Sequence, residues 1–124
     1  MLERGELITA VDLPAIEFAR NSIYLKVRDR TSYAFALVSV AAALDIQDNT
    51  IQAARLALGG VGTKPWRAHE AEQILIGSSP NRDTFEQAAA VTVRDANPRQ
   101  HNRFKVDLAP RIIVQALSIL SAAE

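Results

Sequence analysis

Cysteine is absent from the 124 residues. That excludes disulfides, thiolate catalysis and cysteine-held zinc or iron–sulfur centres within this chain. An excess of charge of either sign is missing too: 14 basic residues balance 14 acidic ones. Together with an aromatic share of only 6%, this gives none of the basic stripe interleaved with stacking rings that marks a nucleic-acid binder. The longest apolar stretch, Ala34 to Leu44, is interrupted by Ser39. It falls short of the roughly 18 residues a membrane span requires. The amino terminus, Met1-Leu2-Glu3-Arg4-Gly5-Glu6, is charged and does not resemble a signal peptide. The expected setting is therefore the cytoplasm, without membrane or nucleic-acid partners.

What is present is a globular composition, with 48% apolar and 23% charged residues. The length is that of one ordinary domain, so a single domain over 1–124 is expected. Leu7, Val11 and Leu13 share one side of a period-two pattern closed by Pro14, which predicts a first strand. Ala15 to Asn21 reads as a loop. Ile23, Leu25 and Val27 then alternate with Tyr24, Lys26 and Arg28, predicting a second strand with Lys26 on its polar face. In the alanine-rich stretch after Arg30, a third strand over the second half is expected to pair across an Asp48-Asn49-Thr50 turn with a fourth, Ile51 to Leu58. The alanines mark close packing of helices on the sheet.

Arg55-Leu56-Ala57-Leu58-Gly59-Gly60-Val61-Gly62-Thr63-Lys64-Pro65-Trp66-Arg67 is the organising corner: an extended run ends in three glycines, and a proline and the only tryptophan follow. A phosphate loop would need a helix with a free N-terminus at the right spacing. None follows, so the corner reads as a strand exit using positive φ, and Trp66 as a packing anchor. Helical signals come next: Pro65 near a start and Gly77 as C-cap; Asp83 and Thr84 as caps for a helix ending before Asn97-Pro98; and a stripe from Val106 through Leu120. Pro110 either starts that last helix or interrupts it. Glu70 and Glu72, at i and i+2, cannot act as a pair and read as surface charge. His69 and His101 fit no metal spacing. The sum is an α+β, two-layer fold: an antiparallel sheet of three to four strands followed by about three helices.

Several stretches, in this order, resemble one family. They are Gly5-Glu6-Leu7-Ile8 with Leu13-Pro14; Lys26-Val27-Arg28-Asp29-Arg30-Thr31-Ser32; Phe35 to Ala41; Ala54 to Val61 with Pro65-Trp66-Arg67-Ala68; and Ala71-Glu72 with Leu75 and Gly77. Together they are similar to the C-terminal domain of the FAD-binding (medium) subunit of the molybdenum hydroxylases, the group of xanthine dehydrogenase, aldehyde oxidoreductase and carbon monoxide dehydrogenase. His101-Asn102-Arg103-Phe104-Lys105-Val106, with Leu108 and Ala116-Leu117, resembles the branch of periplasmic-type aldehyde oxidoreductase and related xanthine dehydrogenase-like subunits.

The resemblance implies a C-terminal fragment of a larger subunit, non-catalytic alone. It would help to cover FAD that relays electrons from molybdenum and iron–sulfur centres on partner subunits. The flavin would be held mainly by N-terminal FAD-binding domains of the same subunit and absent from this fragment. The resemblance places main chain near Ile8 and Thr9, and the side chain of Lys26, at the flavin, and leaves the periplasm open as the site of the complete enzyme. Read without the resemblance, Lys26 is a solvated edge-strand lysine that discourages aggregation. The alternative function is a stand-alone interaction or oligomerisation module without cofactor.

Overall fold

A computed structural model describes residues 2–15 and 17–122. Met1, Ile16 of the expected loop, and the last two residues lie outside that description. After a 3₁₀ turn, Glu17–Arg20, four strands follow: β1 Ser22–Val27, β2 Val38–Gln47, β3 Thr50–Gly59 and β4 Trp66–Arg67. Three helices complete the chain: α1 His69–Leu75, α2 Arg82–Val93 and α3 Phe104–Ser121. The sheet is an antiparallel meander in the order β1-β2-β3-β4.

The β2–β3 hairpin forms where the local signal is strongest. Its loop residues Asp48 and Asn49 both take positive φ, 49° and 56°, and Asx side chains tolerate that region better than most. A register slip between Asp45 and Ile46 bulges the hairpin near its tip. Beyond it, Val38, Val40, Ala42 and Leu44 of β2 and Ala54, Leu56 and Leu58 of β3 point to one face and are buried. Helix α3 packs on β2 and on α2, and α1 packs on β3 and α2. Ala109 and Ala116 of α3, with Ala88 and Ala89 of α2, are buried and bring the backbones close. Phe85, Leu75, Ile113 and Leu117 fill the remainder, each contributing about 1.5–3 kcal/mol by leaving water.

Three local expectations are corrected. Leu7 to Leu13 is not a strand: the segment is unpaired, and Leu13, 86% exposed, has no partner face among the described residues. Alternation produces a strand only where a neighbour accepts its hydrogen bonds and covers its apolar side. The fourth strand is instead Trp66–Arg67, which pairs with Leu58 and Ala57 and so delays the helix start from Pro65 to His69. The cap of α2 is Asn81, whose Oδ1 accepts from the Thr84 amide at 2.9 Å; Asp83 and Thr84 lie inside the first turn.

Pro110 lies within α3, which begins six residues earlier and runs through it. The hydrogen bond that the proline cannot donate is outweighed by the buried stripe on both sides of it.

The glycine corner is a packed turn. Gly60 has φ +75°, and a Cβ there would lie 3.0 Å from the carbonyl oxygens of both Ala36 and Leu37. Gly59 faces Ser39 across the β2–β3 register, and its lack of a side chain leaves room for the serine hydroxyl. Gly60→Ala is expected to destabilise the chain by about 2 kcal/mol, from the positive φ and the two carbonyl contacts together. Gly62→Ala, with no contact closer than 3.6 Å, should change stability by less than about 0.5 kcal/mol. Urea denaturation of the two variants tests the difference.

Candidate functional site

Lys26 lies on the face of the sheet turned away from the helices, in β1, an edge strand, opposite Ser39 of β2. It is exposed, as are its face neighbours Tyr24 and Ala41. Among the described residues no hydrogen bond or ion pair engages its ammonium. Ile8 and Thr9 lie in the segment before β1 that is neither helix nor strand, both exposed. Their main-chain groups carry no hydrogen bond to other described residues. Among the described residues no hydrogen bond joins this segment to Lys26, so hydrogen bonding within the chain does not tie the three expected residues together. Their donors, an ammonium and free backbone N–H groups, are nevertheless of the kind that meets the acceptor edge of a flavin pyrimidine ring.

The apolar side chains around them are left uncovered. Leu7, Ile8, Val11 and Leu13 precede β1, and Tyr33 and Phe35 lie in the loop that follows it, Phe35 at 98% exposure. These residues expose more large apolar surface than isolated surface positions need, in the segments that flank β1.

A second constellation surrounds the corner and was not foreseen. Glu72, read as surface charge, is only 5% exposed. Its Oε1 accepts from the Leu56 amide at 2.9 Å and from Arg67 Nε at 2.9 Å, and its Oε2 accepts from Arg67 Nη2 at 3.0 Å. His69 Nδ1 lies 3.7 Å from Oε2. Burial alone would raise the Glu72 pKa. The Arg67 guanidinium and the Leu56 amide outweigh it and hold the carboxyl below its ordinary value. Arg67 is raised in turn, chiefly by its hydrogen bond to Glu72.

The signal was an arginine five residues before a glutamate across a helix start, which has meaning only once β4 turns Arg67 back toward α1. Glu70, two residues earlier, instead meets Arg94 at 2.8 Å on the surface, a pair of little energetic weight. Trp66, expected as a packing anchor, is 55% exposed. It walls a cleft of about 410 Å³ between the corner and the junction of α2 with α3. Among the described residues no cluster of His, Cys, Asp and Glu could hold a metal ion, and no helix is long and apolar enough to cross a membrane.

The comparisons agree with this architecture. Residues 23–120 match the model of the family described as CO dehydrogenase flavoprotein C-terminal domain. The aldehyde oxidoreductase FAD-binding subunit PaoB of Escherichia coli (strain K12) is 44% identical over 115 residues, covering 92% of this chain and 32% of that protein. The glyceraldehyde dehydrogenase medium chain of Sulfolobus acidocaldarius is 36% identical over 100 residues, covering 81% of this chain and 35% of that protein. The chain thus spans about a third of the length of these relatives.

Among solved structures, quinoline 2-oxidoreductase from Pseudomonas putida 86 superposes with a TM-score of 0.77 at 25% identity, over 83% of this chain and 37% of the other. A carbon monoxide dehydrogenase from Hydrogenophaga pseudoflava gives 0.76 at 23% identity, over 85% and 38%; that likeness concerns the fold.

Replacing Glu72 by Ala leaves the buried Leu56 amide without an acceptor, while the half-exposed Arg67 can turn to solvent. The expected loss is about 2–3 kcal/mol, with Glu72→Gln losing less, as measured by urea unfolding. Because the folded pKa of Glu72 lies below the ordinary 4.5, its contribution is fully present above that value. It disappears as pH falls through the depressed folded value. The wild-type midpoint should therefore fall below pH 4.5 more steeply than that of Glu72→Gln, in melts followed at a series of pH values.

Proposed function

Because the chain belongs to the CO dehydrogenase flavoprotein C-terminal domain family, we propose that it is the C-terminal supporting domain, residues 1–124, of the FAD-binding subunit of a molybdenum-containing hydroxylase. In this reading the remainder of the subunit, N-terminal to it, holds most of the FAD. Lys26 and the main chain of Ile8 and Thr9 complete its surroundings. Partner subunits carry the molybdenum cofactor and iron–sulfur centres. The domain does not turn over by itself and is inactive and without bound FAD when isolated. The alternative of a stand-alone interaction module is not favoured, since the matched relatives are named as an FAD-binding subunit and a dehydrogenase medium chain.

The observation that carries the proposal is the uncovered face and flank of β1. Lys26 presents an ammonium without a partner among the described residues, beside exposed Tyr24. The segments before and after the strand expose apolar groups that a neighbouring domain would bury. The flavin, when bound, accepts and passes on electrons. What this chain contributes is a positive charge on a sheet held rigid from its other side by the helices, together with main-chain hydrogen-bond donors from the segment before β1. A cation close to the acceptor edge of the ring favours its anionic reduced form. The sheltered neighbourhood of a second domain would strengthen that effect by excluding water.

Lys26→Met in the full-length subunit is expected to lower the flavin reduction potential by tens of millivolts while the fold is retained. Spectroelectrochemistry on the purified subunit measures it, with FAD content taken from the absorbance ratio. Unchanged potential together with unchanged FAD content would remove Lys26 from the site.

A further inference from the structure

The cleft beside Trp66 shares no residue with β1, so what it does is separate from the flavin reading. Its volume, about 410 Å³, falls in the range of small-molecule sites, roughly 300–1,000 Å³. One wall is apolar: Val61 and the Trp66 indole on the corner side face Val91 of α2 and Val106 of α3.

The polar groups at the α3 end are donors with capacity left over. The Lys105 ammonium has three N–H bonds, and the Gly60 carbonyl, 2.6 Å away, takes one. Asn102 uses its Oδ1 to accept from the Arg99 amide at 2.6 Å, and no hydrogen bond among the described residues engages its NH₂. The Trp66 indole N–H can only donate. The lining also holds two carboxylates, Glu70 and Asp95. The Arg94 guanidinium bridges them at 2.8 and 3.4 Å, so their charge is met locally. His69, also in the lining, turns Nδ1 toward Glu72.

An apolar slot with unspent donors at one end, one of them a fixed cation, is complementary to an apolar body bearing an anionic acceptor. We infer that the cleft between the glycine corner and the α2–α3 junction binds a small organic carboxylate with an aromatic or aliphatic tail. The tail lies along Trp66 and Val91, and the carboxylate sits on Lys105 and Asn102. The bond from Lys105 to Gly60 holds the ammonium in place before any ligand arrives, so little side-chain entropy is lost on binding.

Trp66 is the only tryptophan of the chain, so its fluorescence reports directly on the cleft. Titration of this chain with 3-phenylpropionate is expected to give a saturable change in the millimolar range, where one anion and one ring make few contacts. The amine and the alcohol with the same tail should bind about tenfold more weakly or worse. Lys105→Met should weaken the carboxylate about tenfold and leave the alcohol unchanged, while Lys105→Arg should largely keep the carboxylate. Amide shifts on titration should centre on Trp66, Asn102 and Lys105 and spare Lys26.

Equal or tighter binding of the amine would overturn the inference, because the two carboxylates would then dominate. Absence of a saturable change, or shifts centred on β1, would overturn it as well. If circular dichroism shows Lys105→Met unfolded, the Lys105→Arg variant and the shift map on the unaltered chain decide.

Discussion

The carboxylate of Glu72 is the constraint on which the two layers depend. Strand β3 would otherwise present an open edge, with unpaired amides pointing at a helix that cannot pair with them. The edge is closed in three pieces. Strand β4 takes Leu58 and Ala57. Glu72 takes the Leu56 amide, while the Leu56 carbonyl receives the Ala68 amide. The turn after α1 takes Ile51 through Gly77 and Ser78. Only the middle piece is a side chain, and it brings a charge into a nearly dry place. That is tolerable because Arg67 forks onto it and keeps its own outer edge in water. Strand, corner and helix thereby acquire one shared geometry.

Around that clasp the layers can be close because they are small. Ala42 and Ala54 on the sheet meet helices that bury Ala71, Ala88, Ala89, Ala109 and Ala116. Such contacts place backbones near one another, and few rotamers have to be frozen to form them. The helices all stand on one side. The other side of the sheet carries Tyr24, Lys26 and Ala41 in the open. An antiparallel sheet permits this, since alternate residues serve different faces. A domain built this way keeps one surface rigid and uncommitted, which suits the proposed place beside a cofactor held elsewhere.

The glycine corner joins these themes. Gly60 is driven against the Ala36 and Leu37 carbonyls, and its own carbonyl is gripped by Lys105 from the start of α3. Trp66 is thus displaced from the core to the mouth of a cleft. An aromatic side chain that would repay burial most is spent on a wall, so the corner serves both packing and a concave surface.

Much of this was legible in the residues. The alternation of Ile23, Leu25 and Val27, the Asp48-Asn49 hairpin, Gly77 after α1 and the apolar stripe of α3 are short-range signals, each set by backbone conformation or by one element's own period. The antiparallel sheet with covering helices followed from them, and the family followed from the order of the motifs. Other features were settled by partners far along the chain. Leu7 to Leu13 has a strand's pattern but no strand to pair with. Trp66–Arg67 has little pattern, yet pairs because β3 offers an edge there. Asn81 rather than Asp83 caps α2 because the chain enters the helix two residues earlier than the acidic signal suggested. Glu72 looks like any helix-surface glutamate until β4 folds Arg67 back over it. Periodicity states which face of an element is apolar; whether another element arrives to cover that face, or to share a hydrogen bond, is decided only when distant segments meet.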